Sequence, residues 1–214
     1  MELQKSMEEQ QNQQHSSLIE WAQAKQEKAQ PPHKTEIPVV KATPSGILVG
    51  LVDGVGQGPA SEEAAQLAAT TLQDYTHQSL SELFARCERS CGGTKGVAIS
   101  AAIVNTGVNT ISWFGAGHVQ AVLFRRSPAA EPRIHKLDRF NGLVGTGQIR
   151  LREMCLPIKP GDLLIFASEG VVDTFIEALP IDGKPRVVAD QLLAKYCQEN
   201  HDCSIVVVRY LGQG

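Results

Sequence analysis

Several broad classes are excluded by what this sequence lacks. No apolar run approaches the roughly 18 to 20 residues needed to span a bilayer; the longest, Val97 to Val104, has the length of a strand. There is no basic excess: 20 Lys and Arg stand against 23 Asp and Glu, a net charge of −3, so no global field favours nucleic acid. The N-terminus is polar and glutamine-rich and lacks the basic, apolar and small-residue order of an export signal. The expectation is a cytoplasmic protein with no membrane and no nucleic-acid partner. The cysteines, Cys87, Cys91, Cys155, Cys197 and Cys203, are odd in number and scattered, which suits free thiols in a reducing compartment better than a disulfide framework. Cys87 and Cys91 can share a helix face, but no second Cys/His pair of finger-like spacing completes a zinc site.

What is present suits a globular domain. The 214 residues are 42% hydrophobic and 20% charged, and a chain of this size can bury roughly 70% of its unfolded surface without a metal or disulfide staple. Residues 1–33 read as a separate, polar, Gln-rich arm closed by Pro31 and Pro32. Leu18, Ile19 and Trp21 are nearly its only large apolar residues, so a loose helix or mobile arm is expected, with Trp21 a candidate for docking a partner.

From residue 34 to 214 strand-like and helix-like signals follow in blocks. Ile47–Val52 is an apolar run that delivers Asp53-Gly54 to a strand end. Ser61 is expected to open a helix with Glu62 and Glu63 in its first turn. Ser79 with Glu82 is a capping-box pattern ahead of a second helix. A meander follows in Val97–Val104, Thr110–Phe114 and Val119–Phe124. A turn at Lys159–Asp162 feeds a strand at Leu163–Ala167; a late helix over Val187–Cys197 and a closing strand over Ser204–Tyr210 end the chain. Strands and helices cluster instead of alternating, which favours α+β over a doubly wound sheet.

The most informative stretch is Val52-Asp53-Gly54-Val55-Gly56-Gln57-Gly58-Pro59-Ala60. A dinucleotide fingerprint fails, because Pro59 takes the place of its third glycine and Asp53 would face the phosphates. A phosphate-binding P-loop fails because no Gly-Lys-Ser/Thr follows. Two readings stay open here: a plain glycine turn with Asp53 capping it, or a carboxylate and exposed carbonyls converging on a hard cation. Phe166-Ala167-Ser168-Glu169-Gly170 repeats the design, and His201-Asp202 leads into the last strand. Acidic residues at three distant strand ends are what a carboxylate-bridged metal pair requires.

This order of motifs resembles the PPM-type, metal-dependent serine/threonine phosphatases, and most closely their compact bacterial SpoIIE and RsbX-like branch. Leu51–Gly58 stands where that family has its Asp-Gly-x-Gly-x-Gly motif, Gly115-Ala116-Gly117-His118 matches its glycine-rich turn, and Pro160–Gly170 matches its strand running into Ser/Thr-Asp-Gly. Three departures stand out. Glu169 replaces the usual Asp; His201 takes the first position of the closing acidic pair, with Asp202 on the second; and Glu36, 17 residues before Asp53, lacks the usual preceding glycine.

The resemblance implies an antiparallel β-sandwich flanked by α-helices, with two Mn²⁺ or Mg²⁺ ions at one edge. Asp53 would bridge them as the catalytic residue, and the Gly54 carbonyl would hold one. Glu169, with His201 or Asp202, would complete that side and Glu36 the other. The implied activity is removal of phosphate from serine or threonine of a regulatory phosphoprotein in partner-switching or stress signalling, through activated water. The alternative is a degenerate PPM domain serving as a partner-binding module. His118 could act as a general acid or hold the turn. Arg125, Arg126, Arg133, Lys136, Arg139, Arg150 and Arg152 could steer a phosphoprotein or form a solvated face.

Overall fold

The computed structural model describes residues 18–28, 34–147, 153–179 and 183–212. Their strands form two five-stranded antiparallel sheets. One contains β1 (Ile19–Gln26), β6 (Gln120–Phe124), β7 (Ile134–Lys136), β9 (Leu163–Ala167) and β10 (Cys203–Tyr210), in the order β1-β10-β9-β6-β7. The other contains β2 (Glu36–Thr43), β3 (Gly46–Gly54), β4 (Val97–Asn105), β5 (Thr110–Ala116) and β8 (Met154–Pro157), in the order β2-β3-β4-β5-β8. Three α-helices complete the described fold: α1 (Pro59–Asp74), α2 (Leu80–Ser90) and α3 (Pro185–Tyr196). None is long and apolar enough to cross a membrane.

The central strands read as continuous apolar runs because both their faces are covered. On β4, Val97, Ile99, Ala101 and Ile103 pack towards α1 and α2, where Ala64, Ala68, Leu72, Leu83 and Phe84 meet them. Its alternate residues Ala98, Ala102 and Val104 join Leu51, Trp113, Phe166 and Val206 between the sheets. On the far side Ile165, Ile205 and Val207 pack against Val188, Ala189 and Leu192 of α3. Each fully buried Leu, Ile or Val contributes about 1.5–3 kcal/mol. The result is a helix–sheet–sheet–helix stack, the expected α+β sandwich.

The capping box forms as expected: Glu82 N donates to Ser79 Oγ, and the Glu82 carboxylate accepts from Ser79 N at 2.9 Å. Four details differ from the sequence reading. Strand β6, expected to continue a meander after β4 and β5, lies instead in the other sheet, between β9 and β7. Helix α1 begins at Pro59 rather than Ser61, since proline at the first position costs no helical hydrogen bond; Ser61 is buried and its hydroxyl donates to Val55 O at 2.7 Å. Residues 19–26, expected in a loose helix or mobile arm, form an edge strand paired along its length with β10. Ile19, Ala22 and Ala24 are its buried residues, and Trp21 points outward. Residues 1–17 and 29–33 of the expected arm lie outside the described residues. Finally, Cys197 and Cys203, read as free thiols, form a disulfide, because the end of α3 and the start of β10 bring their Cα atoms to 5.9 Å.

Candidate metal centre

The antiparallel register of β2 and β3 sets Glu36 directly opposite Asp53 at the sandwich edge. Strand β9 ends at Ala167 and delivers Ser168-Glu169-Gly170 to the same edge, while Asp202 immediately precedes β10, which pairs with β9. The two glycines that follow the carboxylates are fixed by close approach. A Cβ at Gly54 would lie 2.2 Å from Ser61 O of α1, and one at Gly170 would lie 2.2 Å from Asp202 O. Glu36, Asp53, Gly54, Glu169, His201 and Asp202, all predicted from sequence, line one cleft of about 730 Å³.

The charges in this cleft are poorly neutralised. Burial pushes Asp53 up to about 8, with Glu36, Glu169 and Asp202 adding to the rise. Glu36 is raised to about 7, chiefly by burial; a hydrogen bond with Ser168 and the charge of Lys25 pull the other way, while Asp202 adds to the rise. Glu36 Oε2 is buried without a hydrogen-bond partner. Glu169 is different: its side chain is 71% exposed. Asp202 accepts from Lys28 N at 2.5 Å. Asp202 is a charge felt by both Glu36 and Asp53, whereas exposed His201 lines the cleft without appearing among those influences.

His118 enters from the glycine-rich turn. Its Nδ1 lies 3.5 Å from Asp53 Oδ2 and 3.9 Å from Glu169 Oε2. Burial lowers its pKa, Glu169 opposes that change and Arg139 adds to it, so the ring is neutral near pH 7 and these approaches are polar contacts rather than ion pairs. Arg139 Nη1 donates to His118 O at 2.7 Å, anchoring the turn. The other basic residues divide by place. Arg125 is buried and paired with Asp162 at 3.0 Å, and Arg133 lies over the Phe124 ring. Arg150 and Arg152 lie outside the described residues.

Sequence reasoning missed three contributors. Ser168 is buried, accepts from Ser204 N at 2.9 Å and bonds Glu36, so it ties three strands together. Lys25 and Lys28, on and just after β1, bring positive charge to an otherwise acidic cleft. No period-2 pattern marks this segment as a strand, since its buried residues Ile19, Ala22 and Ala24 fall at spacings of three and two.

Among the described residues no three His, Cys, Asp or Glu side chains close into a ready ligand cage; the acids ring the cleft instead. The residues nonetheless suit divalent cations. An unpartnered buried carboxylate oxygen and two carboxyls held above their ordinary range call for a nearby positive charge. An oxygen-rich donor set matches a hard ion such as Mg²⁺ or Mn²⁺.

The sequence model of the family described as Stage II sporulation protein E (SpoIIE) matches residues 43–209. The chain belongs to the SpoIIE family. That family is of PPM type, and the match spans Asp53, His118, Glu169 and Asp202 while Glu36 and β1 precede it. Among solved structures, RsbX in complex with magnesium superposes with a TM-score of 0.80 at 14% identity, covering 90% of this chain and 96% of that one. The phosphatase and partial regulatory domains of SpoIIE from Bacillus subtilis give 0.69 at 16% identity, covering 92% of this chain and 64% of that one. The catalytic domain of the serine/threonine phosphatase PstP with two manganese ions gives 0.61 at 16% identity, covering 91% and 99%. No curated protein matches the chain at the level of sequence.

Proposed function

We propose that this SpoIIE-family chain is a phosphoserine/phosphothreonine protein phosphatase that uses two divalent cations, Mn²⁺ or Mg²⁺. Its substrate is a regulatory phosphoprotein of a bacterial partner-switching or stress-signalling system, acted on in the cytoplasm. The observation that carries this reading is the buried, cross-strand pair Glu36 and Asp53, whose charge no described cation fully offsets. The stressosome described for one structural relative supports the substrate class.

In this reading Asp53, the Gly54 carbonyl, Glu36, and Glu169 with Asp202 or His201 would hold the two ions. Bound there, the ions would lower the pKa of water towards neutrality and offset phosphoryl charge. The protein's own part is positioning. The β2–β3 register fixes Asp53 against Glu36, Ser168 orients Glu36, and His118 places its Nδ1, which has no hydrogen-bond partner among the described residues, near Asp53 and Glu169. Lys28 lines the cleft, where a phosphomonoester dianion would meet its positive charge. Trp21, 45% exposed on edge strand β1, is the proposed docking residue for the partner.

A second reading, a partner-binding domain without catalysis, is favoured by the exposure of Glu169, which leaves one expected ligand facing solvent. Turnover of a phosphoserine peptide with and without millimolar MnCl₂, alongside Mn²⁺ binding by calorimetry and the Asp53→Asn variant, separates the two. Manganese-dependent turnover lost in the variant is the expected result. A folded protein that binds no Mn²⁺ and releases no phosphate would transfer the assignment to the partner-binding domain.

A further inference from the structure

Cys197 and Cys203 close a disulfide around the loop that carries Asn200, His201 and Asp202 into the cleft. The same bond is stitched to the other carboxylate-bearing turn. Cys203 Sγ lies 3.2 Å from Gly170 O, and Gln198 N donates to that carbonyl at 3.0 Å. Val171 bridges Cys197, and Gln26 Nε2 at the end of β1 lies 3.0 Å from Cys197 Sγ. The loop therefore joins β1, the Glu169-Gly170 turn and Asp202 through one covalent link. Within the loop, His201 N donates to Gln198 O at 3.2 Å.

We propose that Cys197 and Cys203 are a reversible redox site whose reactant is a dithiol, and that its state sets how firmly Asp202 and Glu169 are held at the cleft. Cys197 is the accessible sulfur, being only part-buried, while Cys203 is fully buried. A dithiol's thiolate attacks Cys197 Sγ, the S–S bond breaks, and Cys203 leaves as a thiolate that takes up a proton. The second thiolate of the reagent then displaces Cys197, which is also protonated; the protein gains two electrons and two protons, and the reagent becomes a cyclic disulfide. Once reduced, the Cys203 thiol has the Gly170 carbonyl and the Cys197 thiol the Gln198 carbonyl as acceptor, and the loop between them loses its covalent closure. Cys87 and Cys91 are buried and Cys155 is exposed, which separates the pair from the remaining thiols in a labelling experiment.

The effect on ion binding rests on the metal-site reading of the cleft, and the test keeps the two apart. Full-length protein, before and after dithiothreitol, is alkylated and mapped by mass spectrometry. Hydrogen exchange and Mn²⁺ affinity are then measured in both states and in Cys197→Ser. Without the reagent, Cys155 but not Cys197 is alkylated; after it, Cys197 is alkylated as well. Reduction speeds exchange at the Gln198 and His201 amides while the β3 and β4 amides stay protected, and it weakens Mn²⁺ binding roughly tenfold, the size of effect seen when groups supporting ligands are lost. Cys197→Ser behaves as the reduced protein and no longer responds to dithiothreitol. Complete alkylation of Cys197 without reductant, or exchange at 198–201 identical in both states, overturns the proposal. A local change in exchange with no Mn²⁺ binding in either state upholds the redox site and removes the metal-site reading alone.

Discussion

Two turns of this molecule share one design and end in different places. At the end of β3 an apolar strand runs into Asp53-Gly54, and at the end of β9 another runs into Ser168-Glu169-Gly170. Both glycines sit where a Cβ would strike a carbonyl at 2.2 Å. Behind Gly54, however, stands helix α1, whereas behind Gly170 stands the short loop tied by the disulfide. The Asp53 side chain is 12% exposed, while the Glu169 side chain is 71% exposed. A strand, carboxylate and glycine thus specify a turn, but the layer behind the glycine decides whether the carboxylate is held in a poorly solvated place or left to reach from water.

The sharpest way to break this contrast is to alter each carboxylate. Asp53→Asn should cut manganese-dependent phosphate release about a thousandfold or more, because bridging ions supply several kcal/mol of charge stabilisation. Glu169→Asp, measured in the same assay, should retain most activity, since a solvated carboxylate can adjust its reach. Comparable losses in the two variants would erase the distinction.

The supports come next. Gly54→Ala should lower stability in urea unfolding by about 1–3 kcal/mol, the usual cost of overpacking, because the helix behind it cannot retreat freely. Gly170→Ala should cost less, since the loop behind it can shift. Proton linkage gives a subtler contrast. Glu36 and Asp53 are raised in the fold to about 7 and about 8, chiefly by burial. A carboxyl raised on folding favours the folded state while protonated, and that contribution is lost as pH climbs through the folded value. Chelator-treated protein should therefore be more stable at pH 6 than at pH 9 by thermal unfolding, with a smaller difference in Asp53→Asn. The smallest effect is distant from both turns: Ser79→Ala should cost about 1 kcal/mol through loss of the capping box on α2.

Much of this arrangement is legible in the sequence because it is written locally. Asp53 follows an apolar run, the capping box needs only Ser79 and Glu82, and the β4–β5 hairpin announces its own turn. What is written non-locally escapes. β1 is rich in Gln, Glu and Lys, and its buried positions are mostly alanines; it is a strand because β10 supplies hydrogen-bond partners and α3 lies near it. The same holds for Cys197 and Cys203, whose pairing depends on where a helix ends and a strand begins. Lys25 and Lys28 reach the cleft only through that unforeseen strand, so the cleft's positive contribution was invisible while its acids were plain.

The pairing of β1 with β10 also orders the birth of the protein. Ile19 lies opposite Tyr210, so the first described strand must wait for the last one to leave the ribosome. Strands β2 to β5 pair only with neighbours close in the emerging chain, apart from the late edge strand β8, and their local contacts can form early. Glu36 and Asp53 can thus meet across β2 and β3 without Asp202, whereas the cleft lacks its last wall until β10 has been made.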